Sequence, residues 1–115
     1  MSHSLKEERE RYIADLDYVL HLATETLRTN PQVQRVILFG SYAKGRRDLF
    51  TDLDILVIMD SDQDFITRSA AVRQTLQSVV DMDLMVYTPQ EFEMMQEKGF
   101  WKQALKNSQV LYERK

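Results

Sequence analysis

The sequence predicts one α/β layer structure, helices alternating with short apolar strands. Three observations predict it. Ile13, Leu16, Leu20, Ala23 and Leu27 recur at alternating three- and four-residue steps, the period of a helix with one buried face. The runs VQRVILF, DLDILVIM and DMDLMVY are short, rich in branched side chains and bounded by turn residues. Thr88-Pro89-Gln90-Glu91 has the form of a capping box with proline at the first helical position, a specific helix start.

The elements follow in order. Residues 4–28 read as one long helix, with Glu7, Glu8, Arg9, Glu10 and Arg11 as its solvated start. Asn30-Pro31 stops it, because proline disfavours a helical residue before it and donates no hydrogen bond. Val33 to Phe39 reads as a buried strand ended by Gly40, and Ser41 to Lys44 as the first turn of a short helix broken near Gly45. Asp52 to Met59 is the second strand. Its first half alternates carboxylate and apolar residues; its second half is continuously apolar, as in a strand covered on both faces. Asp60-Ser61-Asp62 supplies a turn and a cap for a helix from Asp64 to Val79, with Phe65, Ser69, Val72, Leu76 and Val79 inward. Asp81 to Tyr87 is the third strand. The capping-box helix turns Phe92 and Met95 inward and ends at Gly99. A helical turn, Phe100 to Lys106, and a short strand, Gln109 to Tyr112, close the chain. No repeat or linker interrupts the 115 residues, so residues 1–115 are expected to form a single domain.

Composition narrows the classes. With 43% hydrophobic and 29% charged residues, the chain is an ordinary globular mixture that can bury a core without staples. It has no cysteine, which excludes disulfides, thiolate zinc sites and cysteine nucleophiles and fits a reducing cytoplasm. The start MSHSLKEERERY lacks a signal-peptide core, and no apolar run approaches the roughly 20 residues that cross a bilayer. A soluble, cytoplasmic protein is expected. The net charge of −3 and the lack of a basic stripe argue against direct nucleic-acid binding. The nearest cationic cluster, Lys44-Gly45-Arg46-Arg47, reads either as a solvated loop or as charges beside a bound phosphate.

Three pieces carry chemistry, each at a strand end. Gly40-Ser41 follows a buried strand and opens a helix, so another group can approach the backbone and free N–H groups can meet a phosphate. Alone, it reads as a plain turn. Asp52 and Asp54 share one face of their strand while Leu53 enters the core. Their backbones lie roughly 6.6 Å apart, and carboxylates at that separation can converge on divalent ions, which in two-metal sites sit about 3.5–4 Å apart. An isolated D-x-D reads as an exposed edge. Asp83 repeats the pattern on the third strand, between inward Met82 and Leu84; Asp81 is the competing candidate on the same face, and Asp83 is preferred as the deeper of the two. Together, a phosphate turn, a metal-binding pair and a third acid fit two-metal nucleotidyl transfer, with a carboxylate accepting the attacking hydroxyl's proton.

At this point GSYAKGRRDLFTDLDILV, a Gly-Ser followed after ten residues by Asp-x-Asp, resembles the signature of the DNA polymerase β-like nucleotidyltransferase superfamily. The later VDMDLMVYTPQEFE is similar to the third-carboxylate strand and following helix of its smallest members, the minimal nucleotidyltransferases (MNT proteins). The resemblance runs from about Val33 to Phe92. It implies a polymerase β palm-like fold with a short mixed β-sheet flanked by helices. It implies that Gly40 and Ser41 hold the β- and γ-phosphates of ATP, that Asp52 and Asp54 bind both of two Mg²⁺ ions, and that Asp83 binds the catalytic metal and helps activate the acceptor. Lys44, where relatives often carry arginine, is implied as a triphosphate contact, and Arg46 or Arg47 as another. Thr51 stands where serine is common, and Leu49-Phe50 is more apolar than that loop usually is, which suggests contact with a partner.

Minimal nucleotidyltransferases are typically paired with HEPN-domain ribonuclease toxins, and as antitoxins transfer AMP from ATP to a tyrosine hydroxyl of the toxin. The resemblance therefore implies a HEPN partner in a hetero-oligomer. His3 and His21 follow no arginine in the pattern a HEPN site needs, so the ribonuclease is not in this chain. Two other readings remain. One is a non-catalytic antitoxin that binds its toxin, with Phe100-Trp101, Met94 and Met95 as core or as contact surface. The other is small-molecule nucleotidylation, as in aminoglycoside-modifying relatives, for which an acceptor domain is missing.

Overall fold

The structure, a computed structural model, describes residues 4–76 and 80–115. Ser4 is extended and its Oγ accepts the Glu7 N–H at 3.1 Å, so helix α1 begins at Leu5 and runs to Arg28. After Asn30-Pro31 the chain enters β1 (Val33–Phe39), then one helical turn, α2 (Gly40–Ala43). Next come β2 (Leu53–Met59), α3 (Phe65–Leu76), β3 (Met82–Tyr87), α4 (Pro89–Met95) and α5 (Gly99–Ala104). A 3-10 turn over Leu105–Asn107 leads into β4 (Gln109–Glu113). His3 and Val79 lie outside the described residues.

The four strands form one mixed sheet in the order β3-β2-β1-β4. β1 pairs antiparallel with β2 and β4, and β2 pairs parallel with β3. The period of two along each strand divides the apolar residues between two cores. Leu53, Ile55, Val57 and Met59 of β2 meet Leu16, Val19, Ala23 and Leu27 of α1 and Val72 of α3. Leu56 and Ile58 point the other way, with Ile37 and Phe39, onto Phe92 of α4 and Trp101 of α5. The α/β class and its flanking helices are as expected, and covered faces explain the unbroken apolar half of β2. Each fully buried Leu or Ile contributes roughly 1.5–3 kcal/mol.

Several details differ from the sequence reading. On α1, Val19 is buried and Leu20 is partly exposed; a three-or-four step from Leu16 permits either. α4 stops at Met95, and Gly99 opens α5 instead of ending α4. Lys98 is extended (φ −117°, ψ 139°) and Gly99 takes φ +47°, a turn that starts the next helix. The capping box at Thr88 forms as read, with the Glu91 N–H donating to Thr88 Oγ1 and the Thr88 N–H to Glu91 Oε1.

Arg68 of α3 was not anticipated inside, yet it is 3% exposed. Its Nε donates to the Val86 carbonyl and Nη1 to the Gln63 carbonyl, both at 2.9 Å, and Nη2 pairs with Glu91. The guanidinium thus ties α3, β3 and α4 at the end of the sheet away from the carboxylates. A helical inward position usually signals an apolar residue; here a buried charge is tolerated because its donors are met.

Candidate active site

The acidic residues lie on the α4–α5 face of the sheet, at the edge of the second core. On β2 the row Asp54, Leu56, Ile58 alternates with Leu53, Ile55 and Val57, so Asp54 continues a core row to its open end. Leu53 is fully buried on the opposite face. Asp54 is the ladder partner of Asp83 on β3 and of Phe39 on β1. The result is a cluster in which Asp52, Asp54 and Asp83 offer oxygens within 4.8 Å of one another.

Asp83 was preferred over Asp81 as the deeper acid, and that reason does not hold, since both are exposed. What separates them is register. Asp83 sits opposite Asp54, whereas Asp81 precedes β3 and uses its carbonyl to accept the Leu53 N–H at 3.0 Å.

Gly40 stands against this cluster. It has φ +76°, and a Cβ built there would lie 1.9 Å from Asp54 Oδ2. The close approach anticipated at Gly40 is therefore made by the chain's own carboxylate. Ser41 directs its backbone N–H at Asp54. Burial, then the charges of Asp52 and Asp83 and a hydrogen bond with Asp83, push the Asp54 carboxyl up to about 7; the Ser41 N–H opposes them. Among the described residues no lysine or arginine forms an ion pair with the three acids.

Such a cluster lacks its counter-charge, and its donors are hard carboxylate oxygens, the set that suits Mg²⁺ or Mn²⁺. The residues therefore fit the divalent ions that the resemblance implies, with Asp52, Asp54 and Asp83 as the available ligands.

Asp52 is aimed by the loop before it. Thr51 is 1% exposed; its Oγ1 accepts the Asp48 N–H at 3.0 Å and donates to Asp48 Oδ1 at 3.1 Å. Tyr12 of α1 donates its hydroxyl to the Thr51 carbonyl at 2.8 Å, fixing the loop to the long helix. Arg46 pairs with Asp48 Oδ2 at 2.8 Å and holds that carboxyl below its usual range, chiefly through this hydrogen bond. Arg47 lies over the Tyr42 ring, 3.5 Å from its centroid, and donates to the Tyr42 carbonyl. Both arginines are thus engaged with the loop and the end of α2. Lys44 lines the cavity beside the carboxylates. Leu49 is partly exposed, and Phe50 is 83% exposed.

That cavity measures about 720 Å³. Gly40, Lys44, Asp54 and Asp83 form one side, and Phe100, Gln103, Lys106 and Asn107 another. In the sequence Phe100 reads as core or contact surface, and Gln103, Lys106 and Asn107 carry no site role. Trp101, next to Phe100, is buried against Phe39 and Tyr87, which settles its place in the core. Of the two methionines read as core or contact, Met94 is 70% exposed and Met95 packs on the second core. No sequence signal marks Gln103, Lys106 or Asn107, which are ordinary surface residues until α5 folds over the sheet.

A sheet face that ends in three convergent carboxylates beside an open cavity can hold divalent ions next to a bound ligand. Residues 23–115 match the family described as "Polymerase beta, Nucleotidyltransferase", and the chain belongs to it. A Methanocaldococcus jannaschii protein named "Putative protein adenylyltransferase" is 30% identical over 81 residues, 70% of this chain and 80% of that one. In structure, the chain resembles a protein described as "a putative nucleotidyltransferase from Sulfolobus solfataricus". The TM-score is 0.58 at 19% identity, covering 99% of this chain and 91% of the other, a likeness of fold. A structure of a tri-AMPylated Shewanella oneidensis HEPN toxin in complex with MNT antitoxin aligns at TM-score 0.45 and 22% identity, over 88% of this chain and 71% of that chain.

No helix among the described residues is long and apolar enough to cross a membrane.

Proposed function

We propose that this nucleotidyltransferase is a Mg²⁺-dependent protein adenylyltransferase, a single minimal domain that transfers AMP from ATP to a hydroxyl of a partner protein. The observation that carries the reading is the convergence of Asp52, Asp54 and Asp83 at the mouth of a cavity. The name of the Methanocaldococcus jannaschii relative supports a protein as acceptor.

In this reading the acceptor oxygen attacks the α-phosphorus of ATP, the bond to the β-phosphate oxygen breaks, and pyrophosphate leaves. Asp83, the most exposed of the three acids, accepts the hydroxyl proton. Bound Mg²⁺ on Asp52, Asp54 and Asp83 would supply counter-charge for the polyphosphate. Lys44 adds a cation on the cavity wall. Gly40 and Ser41 keep Asp54 in place and, by the resemblance, would hold the phosphates.

The resemblance to minimal nucleotidyltransferases supports a HEPN-domain toxin as that partner, modified on a tyrosine in a cytoplasmic complex. Phe50, within the loop that aims Asp52, is the apolar residue we assign to contact with it. The test is co-expression with the product of the adjacent reading frame, followed by intact-mass measurement of that protein. Added AMP that depends on Asp52 and Asp54 supports the reading. A toxin neutralised equally well, and without AMP, by a variant carrying Asp52→Ala and Asp54→Ala supports neutralisation by contact alone.

A further inference from the structure

The second wall of the active-site cavity combines three chemistries in one short segment. Phe100 packs edge-on against Phe39, with ring centroids 6.1 Å apart, and against Trp101 at 5.0 Å, yet it is 61% exposed. A ring fixed from behind and open in front is a stacking surface for a planar heterocycle. Gln103 and Asn107 add two amides, each both donor and acceptor. Lys106 is exposed on the same wall, and among the described residues no ion pair holds it.

Lys44 faces the cavity from the carboxylate side, so the lining carries two ammonium groups. A volume of about 720 Å³ is in the range of small-ligand sites. Two cations, an open ring and two amides match a nucleoside polyphosphate. With Lys44 on the polyphosphate, an acceptor tyrosine on this wall would leave Lys106 with no partner charge.

We infer that this wall binds and selects the nucleotide: Phe100 stacks on the base, Gln103 and Asn107 read its edge, and Lys106 shares the polyphosphate with Lys44. The inference rests on the proposed AMP transfer and names the residues that choose its nucleotide.

Equilibrium binding of ATP, GTP, AMP and inorganic tripolyphosphate, with Mg²⁺ and no acceptor, tests it. Phe100→Ala should weaken ATP and AMP roughly tenfold and leave tripolyphosphate unchanged. Lys106→Gln should weaken ATP and tripolyphosphate about tenfold and spare AMP. Gln103→Ala with Asn107→Ala should change the ATP-to-GTP affinity ratio by about tenfold. Phe100→Leu keeps the packing on Trp101 and loses the planar face, so it stands in if Phe100→Ala unfolds.

Wild-type protein that binds neither ATP nor tripolyphosphate sinks the proposed activity itself. Wild-type binding of ATP with unchanged affinity in all these variants overturns the wall alone. Variants that hold ATP normally but bind the partner protein less tightly assign the wall to the acceptor, which also overturns the inference.

Discussion

Asp54 fills the space that a side chain at Gly40 would need. The glycine's positive φ and missing side chain let the carboxylate lie against the backbone, where a Cβ would fall 1.9 Å from Oδ2. Gly40→Ala should therefore displace Asp54 as well as strain the turn. The expected cost is about 1–3 kcal/mol of stability and roughly a hundredfold of AMP transfer, the scale of a misplaced catalytic group. Gly45 has φ +100°, but a Cβ added there would meet nothing within 4 Å, so Gly45→Ala should lower stability and keep transfer per folded molecule near wild type. Thermal melts and turnover of both variants check the contrast.

Asp54 gives the fold a pH dependence of unusual sign. Its carboxyl rises from 3.8 to about 7 on folding, so between these values the folded state binds more protons than the unfolded chain. Metal-free protein should lose stability as pH rises from about 4 to about 7. Mg²⁺ or Mn²⁺ competes with that proton. The rise in melting temperature on adding metal should be larger at pH 8 than at pH 6, and a rise independent of pH would contradict the assignment.

Arg68 should behave as a structural clamp. Arg68→Ala leaves the Val86 and Gln63 carbonyls without their donor and Glu91 without its cation, at about 3 kcal/mol by urea denaturation. Glu91→Gln, at the more exposed end, should cost about 1 kcal/mol. Both variants should keep metal binding, because the clamp lies away from the carboxylates.

Tyr12→Phe removes the hydroxyl that holds the Thr51 carbonyl. About 1 kcal/mol of stability should go with it. A weaker affinity for Mn²⁺ in titration should accompany the loss, since Asp52 follows Thr51 directly.

The sequence made the strands, the capping box and the carboxylate pair legible because each rests on local chemistry. Period-two burial, Thr88 with Glu91, and Asp52 with Asp54 are all set within a few residues. Arg68 was hidden because its partners, Val86 and Glu91, come from elements 18 and 23 positions away. The choice between Asp81 and Asp83 needed the β2–β3 register, which no local pattern encodes. Gly40 was read correctly as a place of close approach, but its neighbour proved to be Asp54. Phe100 read only as core or contact surface and Lys106 as plain surface, since the wall they form depends on where α5 lies across the sheet.

In the proposed reaction Asp52, Asp54 and Asp83 move AMP from ATP to a partner protein. Incubating the pair with Mg²⁺ and ATP labelled at either the α- or the γ-phosphate tests it most directly. The α-label should become covalently attached to the partner, the γ-label should not, and Asp52→Asn with Asp54→Asn should abolish the transfer. No α-label on the partner, or equal labelling by the double variant, would contradict it.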